Sequence, residues 1–263
     1  MTICIAGISE ENKIIAVTDK MLTLSQNPVT KYEISENNKA IQISDKCVAL
    51  FAGDVVVANQ ILELAKTKGL ETGTVAEMAE KVNQAYREYI HLIIDNYLIN
   101  KYKLTFDVFM ANHANLEAEM VRQVTKIITD TNFDVEIIVA GIDEDPHVFF
   151  INSLGTIIDK GSSIGYACIG SGSQHATLSL IESEYNSHIS LDAGIYALLQ
   201  AKRRAEFDPG VGKLWDFVLI NDSYIQPSAK QVESVTDLYQ KSLEEIGKIS
   251  KKSSTDIIKA ILK

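Results

Sequence analysis

Thr2, which follows the initiator Met1, is the residue best suited to act as a catalytic group. Methionine before threonine is usually removed, and its removal would leave a free α-amino group on Thr2. Such an amine has an unperturbed pKa of about 8. It can therefore act as general base for the hydroxyl of its own residue, with no histidine partner. Many proteins begin Met-Thr without catalytic purpose, so the prediction of a nucleophile depends on the residues that accompany it.

Four further features fit chemistry at Thr2. Asp19 follows a strand expected to lie beside the first, which would bring its carboxylate near the threonine. The ammonium of Lys39, at the start of the next strand, could lower the pKa of the threonine hydroxyl or stabilise charge. Gly53 ends a later strand, where its N–H is free to act as an oxyanion donor. Residues 170–173 (GSGS) lie at a strand-to-helix junction and expose a hydroxyl and several N–H groups.

These residues must be positioned by an alternation of strand blocks and helix blocks. Short β-branched runs separated by polar turns predict two hairpins near the start of the chain. Two helices, more strands, two more helices and a final strand follow, an order that favours an α+β or layered sandwich over a doubly wound sheet. The predicted strands cover residues 2–8, 13–18, 39–44, 46–52, 135–142, 147–152, 166–169 and 214–220.

A long helical pair is predicted in the middle of the chain. Thr74 and Glu77 form a capping-box pattern that opens a helix to about Ile99. Apolar residues at helical intervals predict a second helix over 107–128. Residues 228–263 form an amphipathic pattern and are predicted as a C-terminal helical extension. We expect one domain over 1–263, which includes the 75–130 helical pair.

The chain resembles the proteasome β-subunit family of N-terminal-nucleophile (Ntn) hydrolases. The run KAIQISDKCVALFAGD at 39–54 is similar to the family segment from its active-site lysine to the oxyanion-hole glycine. The run IGSGSQHATLSLIESEY from Ile169 and the helical stretch 191–208 resemble the next family segments. The similarity covers about residues 2–54 and 134–220. Within the family, the chain most resembles the bacterial proteasome-like peptidases.

The resemblance implies a four-layer α-β-β-α sandwich, an assembly that is a ring or a smaller homo-oligomer, and a set of residue roles. Thr2 would be the nucleophile with its own amine as base, and Gly53 would supply the oxyanion hole. Asp19 and Lys39 would orient and activate the threonine. The other implied catalytic residues, Ser171 and Asp208, would support the Thr2 amine.

Three departures from the family pattern stand in this sequence. Val211 occupies the place where the family usually has a serine that bonds to the amine of the nucleophile, and valine has no side-chain hydrogen bond to offer. The interval between Thr2 and Asp19 is one residue longer than usual, an insertion that the polar turn 9–12 can absorb. The helical pair at 75–130 is longer than the family normally has.

Charge, local patterns and residue spacing argue against several other classes of protein. The formal net charge of −10, with no Lys/Arg cluster of the kind that tracks a phosphate backbone, argues against a nucleic-acid partner. The start of the chain has no signal-peptide pattern, and no apolar run approaches the roughly 20 residues of a membrane helix. Cys4, Cys47 and Cys168 lie in apolar runs and are expected to be buried free thiols of a cytoplasmic protein. The histidines have no ligand spacing, so we predict neither a metal nor a cofactor.

The preferred function is a threonine hydrolase that cleaves peptide or amide bonds in a peptide or protein substrate through an acyl-enzyme. An amide transferase or ligase with the same nucleophile remains an alternative, because sequence does not distinguish capture of the acyl group by water from capture by an amine. A non-catalytic, structural member of the family is a second alternative, which Val211 favours. A phosphate site at 170–173 is a lesser possibility, since the other nucleotide-binding signatures are missing.

Overall fold

The computed structural model describes residues 2–10, 12–24, 30–33, 38–131 and 135–261. The strands are β1 (Cys4–Ser9), β2 (Lys13–Asp19), β3 (Met21–Leu24), β4 (Thr30–Glu33), β5 (Ala40–Ser44), β6 (Cys47–Ala52), β7 (Glu136–Ile142), β8 (Pro146–Ile151), β9 (Ile157–Asp159), β10 (Tyr166–Ile169), β11 (Trp215–Ile220) and β12 (Tyr224–Ile225). The helices are α1 (Val55–Thr67), α2 (Val75–Tyr102), α3 (Phe106–Asn112), α4 (Ala118–Asp130), α5 (Gly161–Ile164), α6 (Ser173–Glu182), α7 (Leu191–Ala205) and α8 (Ala229–Ile261).

Two five-stranded antiparallel sheets form the body of the protein. The first has the strand order β10-β1-β2-β11-β12, and the second has the order β5-β6-β7-β8-β9. Both hairpins predicted near the start of the chain are present, as β1–β2 and β5–β6. The short hairpin β3–β4 forms a separate ladder that the sequence patterns did not predict. Glu11, in the predicted 9–12 turn, lies outside the described residues.

The two sheets face each other across an apolar core, and helices cover their outer faces. The inner core joins Cys4, Ala6 and Ile14 of the first sheet to Leu50 and Ile138 of the second. Helices α1 and α2 pack on the outer face of the second sheet, and α6 and α7 pack on the first. Strands covered on both faces must be apolar throughout, which explains why every residue of β1 and of β6 is buried. The predicted four-layer α-β-β-α sandwich is confirmed.

The helical region at 75–130 differs from the prediction in its second half. The capping box is present, because the Thr74 hydroxyl accepts the Glu77 N–H and the Glu77 carboxylate accepts the Thr74 N–H. The predicted continuous helix over 107–128 is wrong: α3 ends at Asn112, and α4 begins at Ala118. The Asn112 side chain donates to the Val108 carbonyl and so satisfies an end of α3.

This break in the helix serves packing. A separate small core forms where α3 and α4 both fold back on α2, and its fully buried members are Ile94, Leu98, Phe109 and Val124. Helices α3 and α4 each contact α2 separately, so Phe109 and Val124 both reach the same small core. Tertiary burial therefore overrides the local helical pattern.

The chain divides into two compact units, residues 1–225 and residues 226–263. The second unit contains α8, whose start is fixed by the Ser228 carbonyl accepting the N–H groups of Gln231 and Val232. The predicted helical extension from 228 is thus helical, and the expectation of one domain over 1–263 stays a prediction. Among the described helices, none is both long and apolar enough to cross a bilayer.

The three cysteines all lie within the described residues and form no disulfide. Cys4 and Cys47 are buried, as expected from their apolar surroundings. Cys168 is partly exposed, which corrects the expectation that all three are buried.

Candidate active site

Thr2 lies just ahead of β1 and is 2% exposed, so its hydroxyl is enclosed by protein. That hydroxyl donates to Asp19 Oδ1 and accepts from the Lys39 ammonium. The Thr2 carbonyl accepts the Gly172 N–H at 3.2 Å. The threonine is therefore held at both its side chain and its backbone, in contact with the two charged residues that the sequence predicted beside it. Met1 lies outside the described residues.

Asp19, at the end of β2, is fully buried and holds this cluster together. Its Oδ1 accepts the Ile3 N–H at 3.0 Å, in addition to the Thr2 hydroxyl and the Lys39 ammonium at 2.7 Å. Its Oδ2 accepts the N–H of Gly212 at 2.9 Å and that of Met21 at 3.2 Å. Hydrogen bonds to both carboxylate oxygens offset the cost of burying this polar group.

Lys39, which precedes β5, is 2% exposed and forms a buried ion pair with Asp19. Its carbonyl accepts the Phe51 N–H at 3.1 Å, which fixes the residue against β6. An ammonium removed from water is costly unless it is paired and hydrogen-bonded. The Asp19 carboxylate and the Thr2 hydroxyl provide that compensation, so the cation stays beside the threonine oxygen.

Gly53 follows β6 and has the positive φ of +112° that favours glycine. It is exposed, and its N–H donates to no acceptor within the described part of the chain. The next residue, Asp54, begins α1 by accepting the N–H groups of Val56 and Val57. Gly53 thus lies between a strand and a capped helix with a donor available, as an oxyanion donor requires.

The turn at 170–173 approaches Thr2 through its backbone. Gly170 has φ +93°, and a Cβ on it would lie 2.4 Å from the Thr2 carbonyl oxygen. The Gly170 N–H donates to Glu136 Oε2 at 3.0 Å, and Glu136 pairs with Ala52, the residue before Gly53. Glu136 therefore ties the turn beside Thr2 to the strand that leads to the candidate oxyanion donor.

Sequence reasoning missed Glu136. The only signal was a charged residue at the start of an otherwise apolar strand, EIIVAGI. Its partner across the site is a backbone N–H from the opposite sheet, and no pattern of residue types predicts such a pairing.

Ser171 and Asp208 do not contact Thr2 through any side-chain hydrogen bond of the described residues. Ser171 is exposed at the tip of the turn. The Asp208 carboxylate accepts the Gly210 N–H at 2.6 Å and so closes its own loop. Val211 is 6% exposed and packs on the same turn, with its Cγ2 2.7 Å from where a Cβ on Gly172 would lie.

Cys4 is the other nucleophile type near this cluster. Burial raises the pKa of its thiol well above the ordinary range, and the Lys39 charge opposes that shift only in part. The thiol donates to the Phe51 carbonyl at 3.2 Å. Since the thiolate is the reactive form, Cys4 is inert and does not compete with Thr2.

The chain is similar to known proteins in both sequence and structure. A family model described as "Proteasome subunit" matches residues 2–210. The chain is similar to "Proteasome subunit beta" of Thermoplasma acidophilum, with 32% identity over 124 residues. That match covers 46% of this chain and 54% of the relative, so the chain spans about half the length of the curated relative.

The fold has a counterpart among solved structures. A Gly-1 mutant of Anbu from Hyphomicrobium sp. strain MC1 superposes with a TM-score of 0.59 and 15% sequence identity. The superposition covers 94% of this chain and 97% of that one. At this identity the likeness establishes a shared fold.

Proposed function

This chain belongs to the proteasome subunit family, and on that basis we propose that it is a threonine hydrolase that cleaves peptide or amide bonds. Thr2 is the proposed nucleophile, after removal of Met1. The observation that carries the proposal is the placement of the buried Thr2 hydroxyl against both Asp19 and Lys39. A threonine between a carboxylate and an ammonium is prepared to lose its proton, which a threonine in an ordinary core is not.

In the proposed reaction the free Thr2 amine accepts the proton of Oγ1, and the oxygen attacks the carbonyl carbon of the substrate. The Lys39 ammonium stabilises the charge that develops on Oγ1, and Asp19 holds Lys39 in place. The Gly53 N–H donates to the oxyanion of the tetrahedral intermediate. The protonated amine then gives its proton to the leaving amine, which leaves an acyl group on Oγ1 that water removes.

The remaining roles are supporting ones. Ser171 is exposed on the turn beside Thr2. Ser171 and Asp208 are both proposed to support the Thr2 amine. Asp208 acts through the loop that it closes at Gly210. We further propose a cytoplasmic homo-oligomer, either a ring or a smaller assembly, that acts on peptide or protein substrates, in keeping with the family. Native mass spectrometry of the purified protein tests this assembly.

The first test is the intact mass of protein expressed with an untagged N-terminus, followed by labelling with a threonine-directed β-lactone. We expect a mass lacking one methionine and a single acyl adduct on Thr2, located by peptide mapping. Thr2→Ala should lose the adduct completely while its unfolding curve remains cooperative. Equal labelling of Thr2→Ala and the unaltered protein would refute the proposal.

A non-catalytic role is the second candidate, and Val211 is the observation that favours it. A serine at that position would offer a hydroxyl to the amine, whereas Val211 offers only methyl groups, which pack on the Gly172 turn. Retention of Met1 in the intact mass would support this candidate, because the Thr2 amine would then be blocked.

An amide transferase would share the same adduct, so labelling does not test for it. Incubation of acylated protein with a primary amine does: a hydrolase releases only the acid, and a transferase also releases the joined amide. Mass spectrometry of the released products separates the two reactions.

A further inference from the structure

Lys202 in α7 is a charged residue that the proposed reaction does not use, although it is only 1% exposed. It stands six residues before Asp208, on the helix that covers the first sheet. Burial of a lysine ammonium is unfavourable unless each of its protons finds an acceptor. The partners of this ammonium therefore indicate what the residue does.

The Lys202 ammonium donates to two backbone carbonyls of one segment, Gly212 at 3.0 Å and Lys213 at 2.8 Å. Its third partner is the carboxylate of Glu206, the residue that caps the C-terminal end of the same helix. All three protons are thus accounted for. Two of the three bind the backbone of a single loop to the helix, which fixes the position of that loop.

The same loop touches the active site. The Gly212 N–H donates to Asp19 Oδ2 at 2.9 Å, and Asp19 Oδ1 in turn contacts Thr2 and Lys39. The carbonyl of Gly212 is held by Lys202 while its N–H holds Asp19. A chain of direct contacts therefore runs from the helix, through one glycine, to the carboxylate that orients the nucleophile.

We propose that Lys202 is a positioning residue, which fixes the Gly212 N–H and thereby the orientation of Asp19 beside Thr2. The inference rests on the proposed function of Thr2. It also accounts for how the loop is held although Val211, the preceding residue, has no side-chain donor or acceptor. The groups that face Lys202 are Glu206 and Arg203 of its own helix, the carbonyls of the loop, and the more distant Asp19.

The test compares Lys202→Met with Arg204→Met, a control on the same helix. Arg204 pairs with the exposed Glu182, so the control removes one positive charge without touching the loop. We expect Lys202→Met to slow β-lactone labelling at saturating reagent by about tenfold or more, the effect of a hydrogen bond to a charged group. The concentration for half-saturation should change less than twofold, because the substrate site itself is intact. Arg204→Met should label at the original rate.

A purely structural role predicts a different result. If Lys202 only stabilises the fold, Lys202→Met lowers the thermal midpoint but labels as fast as the unaltered protein at a temperature where both are folded. That outcome would overturn the inference.

Should Lys202→Met fail to fold, Lys202→Arg provides the test. The guanidinium keeps its charge and its donors at every pH examined, whereas burial lowers the pKa of the Lys202 ammonium. Labelling of Lys202→Arg at neutral pH should stay within about threefold of the original rate, because the guanidinium keeps donors for the loop carbonyls. A tenfold or greater loss of labelling in a folded Lys202→Arg whose Gly212 amide exchanges as slowly as in the unaltered protein would overturn the inference.

An activity-independent measurement separates failure of this inference from failure of the proposed function. Amide hydrogen exchange at Gly212 should be faster in Lys202→Met than in Arg204→Met, because the loop is released from the helix. If the unaltered protein never labels but this difference is found, the positioning contact stands and the hydrolase proposal fails. Equal exchange in the two variants refutes the positioning contact itself.

Discussion

A methyl group added at Gly170 would press directly on Thr2, the proposed nucleophile. In Gly170→Ala the new Cβ would lie 2.4 Å from the Thr2 carbonyl oxygen and 2.7 Å from its Cγ2. Carbon atoms in contact are normally about 3.5 Å apart, so Thr2 or the turn must move by about 1 Å. The φ of +93° adds backbone strain of about 1–3 kcal/mol for any residue with a Cβ.

These two effects have different consequences. Strain and displacement together should lower the free energy of unfolding by about 2–6 kcal/mol, measured by urea denaturation. A displacement of about 1 Å at the reacting group is enough to reduce rate about a hundredfold. We therefore expect β-lactone labelling of Gly170→Ala to fall by about that factor at saturating reagent.

Gly155→Ala is the matched control, because it introduces the same strain far from Thr2. Gly155 has φ +65°, and the nearest atom to its new Cβ would be Arg87 Cγ at 3.1 Å, on a flexible side chain. This variant should lose about 1–2 kcal/mol of stability and keep its labelling rate. Labelling of Gly170→Ala within threefold of the unaltered protein would show that the Gly170–Thr2 contact does not position the nucleophile.

Three further predictions follow from contacts of the site and the core. Lys39→Met leaves the buried Asp19 carboxylate without its cation, so we expect a loss of about 3–5 kcal/mol in urea unfolding; adding Asp19→Asn should restore most of the stability but not the labelling, and an additive loss in the double variant would contradict the pairing. Thr74→Ala removes the capping-box hydroxyl and should destabilise by about 1 kcal/mol with no change in labelling rate; a loss of labelling would show instead that the 75–130 helices reach the site. Burial raises the pKa of Cys47 to about 12 from an ordinary value of 9.0, so the stability that this thiol contributes is present below pH 9 and is lost as pH rises, because the unfolded thiol ionises first. Between pH 8 and pH 10 that loss is about 1.4 kcal/mol; the unfolding free energy of Cys47→Ala should fall by that much less over the same interval, and equal falls would contradict the shift.

Local pattern predicted the individual strands and an α+β or layered arrangement, and the family resemblance added the four-layer sandwich. The cores of β1, β2 and β6 are apolar runs between polar residues, and the Thr74–Glu77 capping box marks the start of α2 within one residue. The break between α3 and α4 was not predictable in this way. It depends on how Phe109 and Val124 reach α2, which is a property of the assembled core.

Within the candidate site, residue types at strand ends were predictable and backbone partners were not. Asp19 and Lys39 were found because charged residues bordering apolar strands are conspicuous, and the structure brings both to Thr2. The contacts by which Lys202 and Glu136 reach the site are with backbone N–H and carbonyl groups, which do not depend on residue type. No spacing rule identifies them, since their partners are set by the approach of two sheets and a helix.

The sequence distance between paired strands gives the proposed enzyme an order of events during its synthesis. β1 pairs with β10 through Cys4 and Ile169, and β2 pairs with β11 through Asp19 and Trp215. Ile169 stands 165 positions after Cys4, so at 5–20 residues per second the ribosome needs roughly 8–33 s to supply the partner of β1. Throughout that interval the first sheet lacks β10 and β11, which complete it on either side of the β1–β2 hairpin. The backbone contact between Thr2 and the 170–173 turn therefore forms only after residue 172 of the 263 has been made, although Asp19 and Lys39 are made long before.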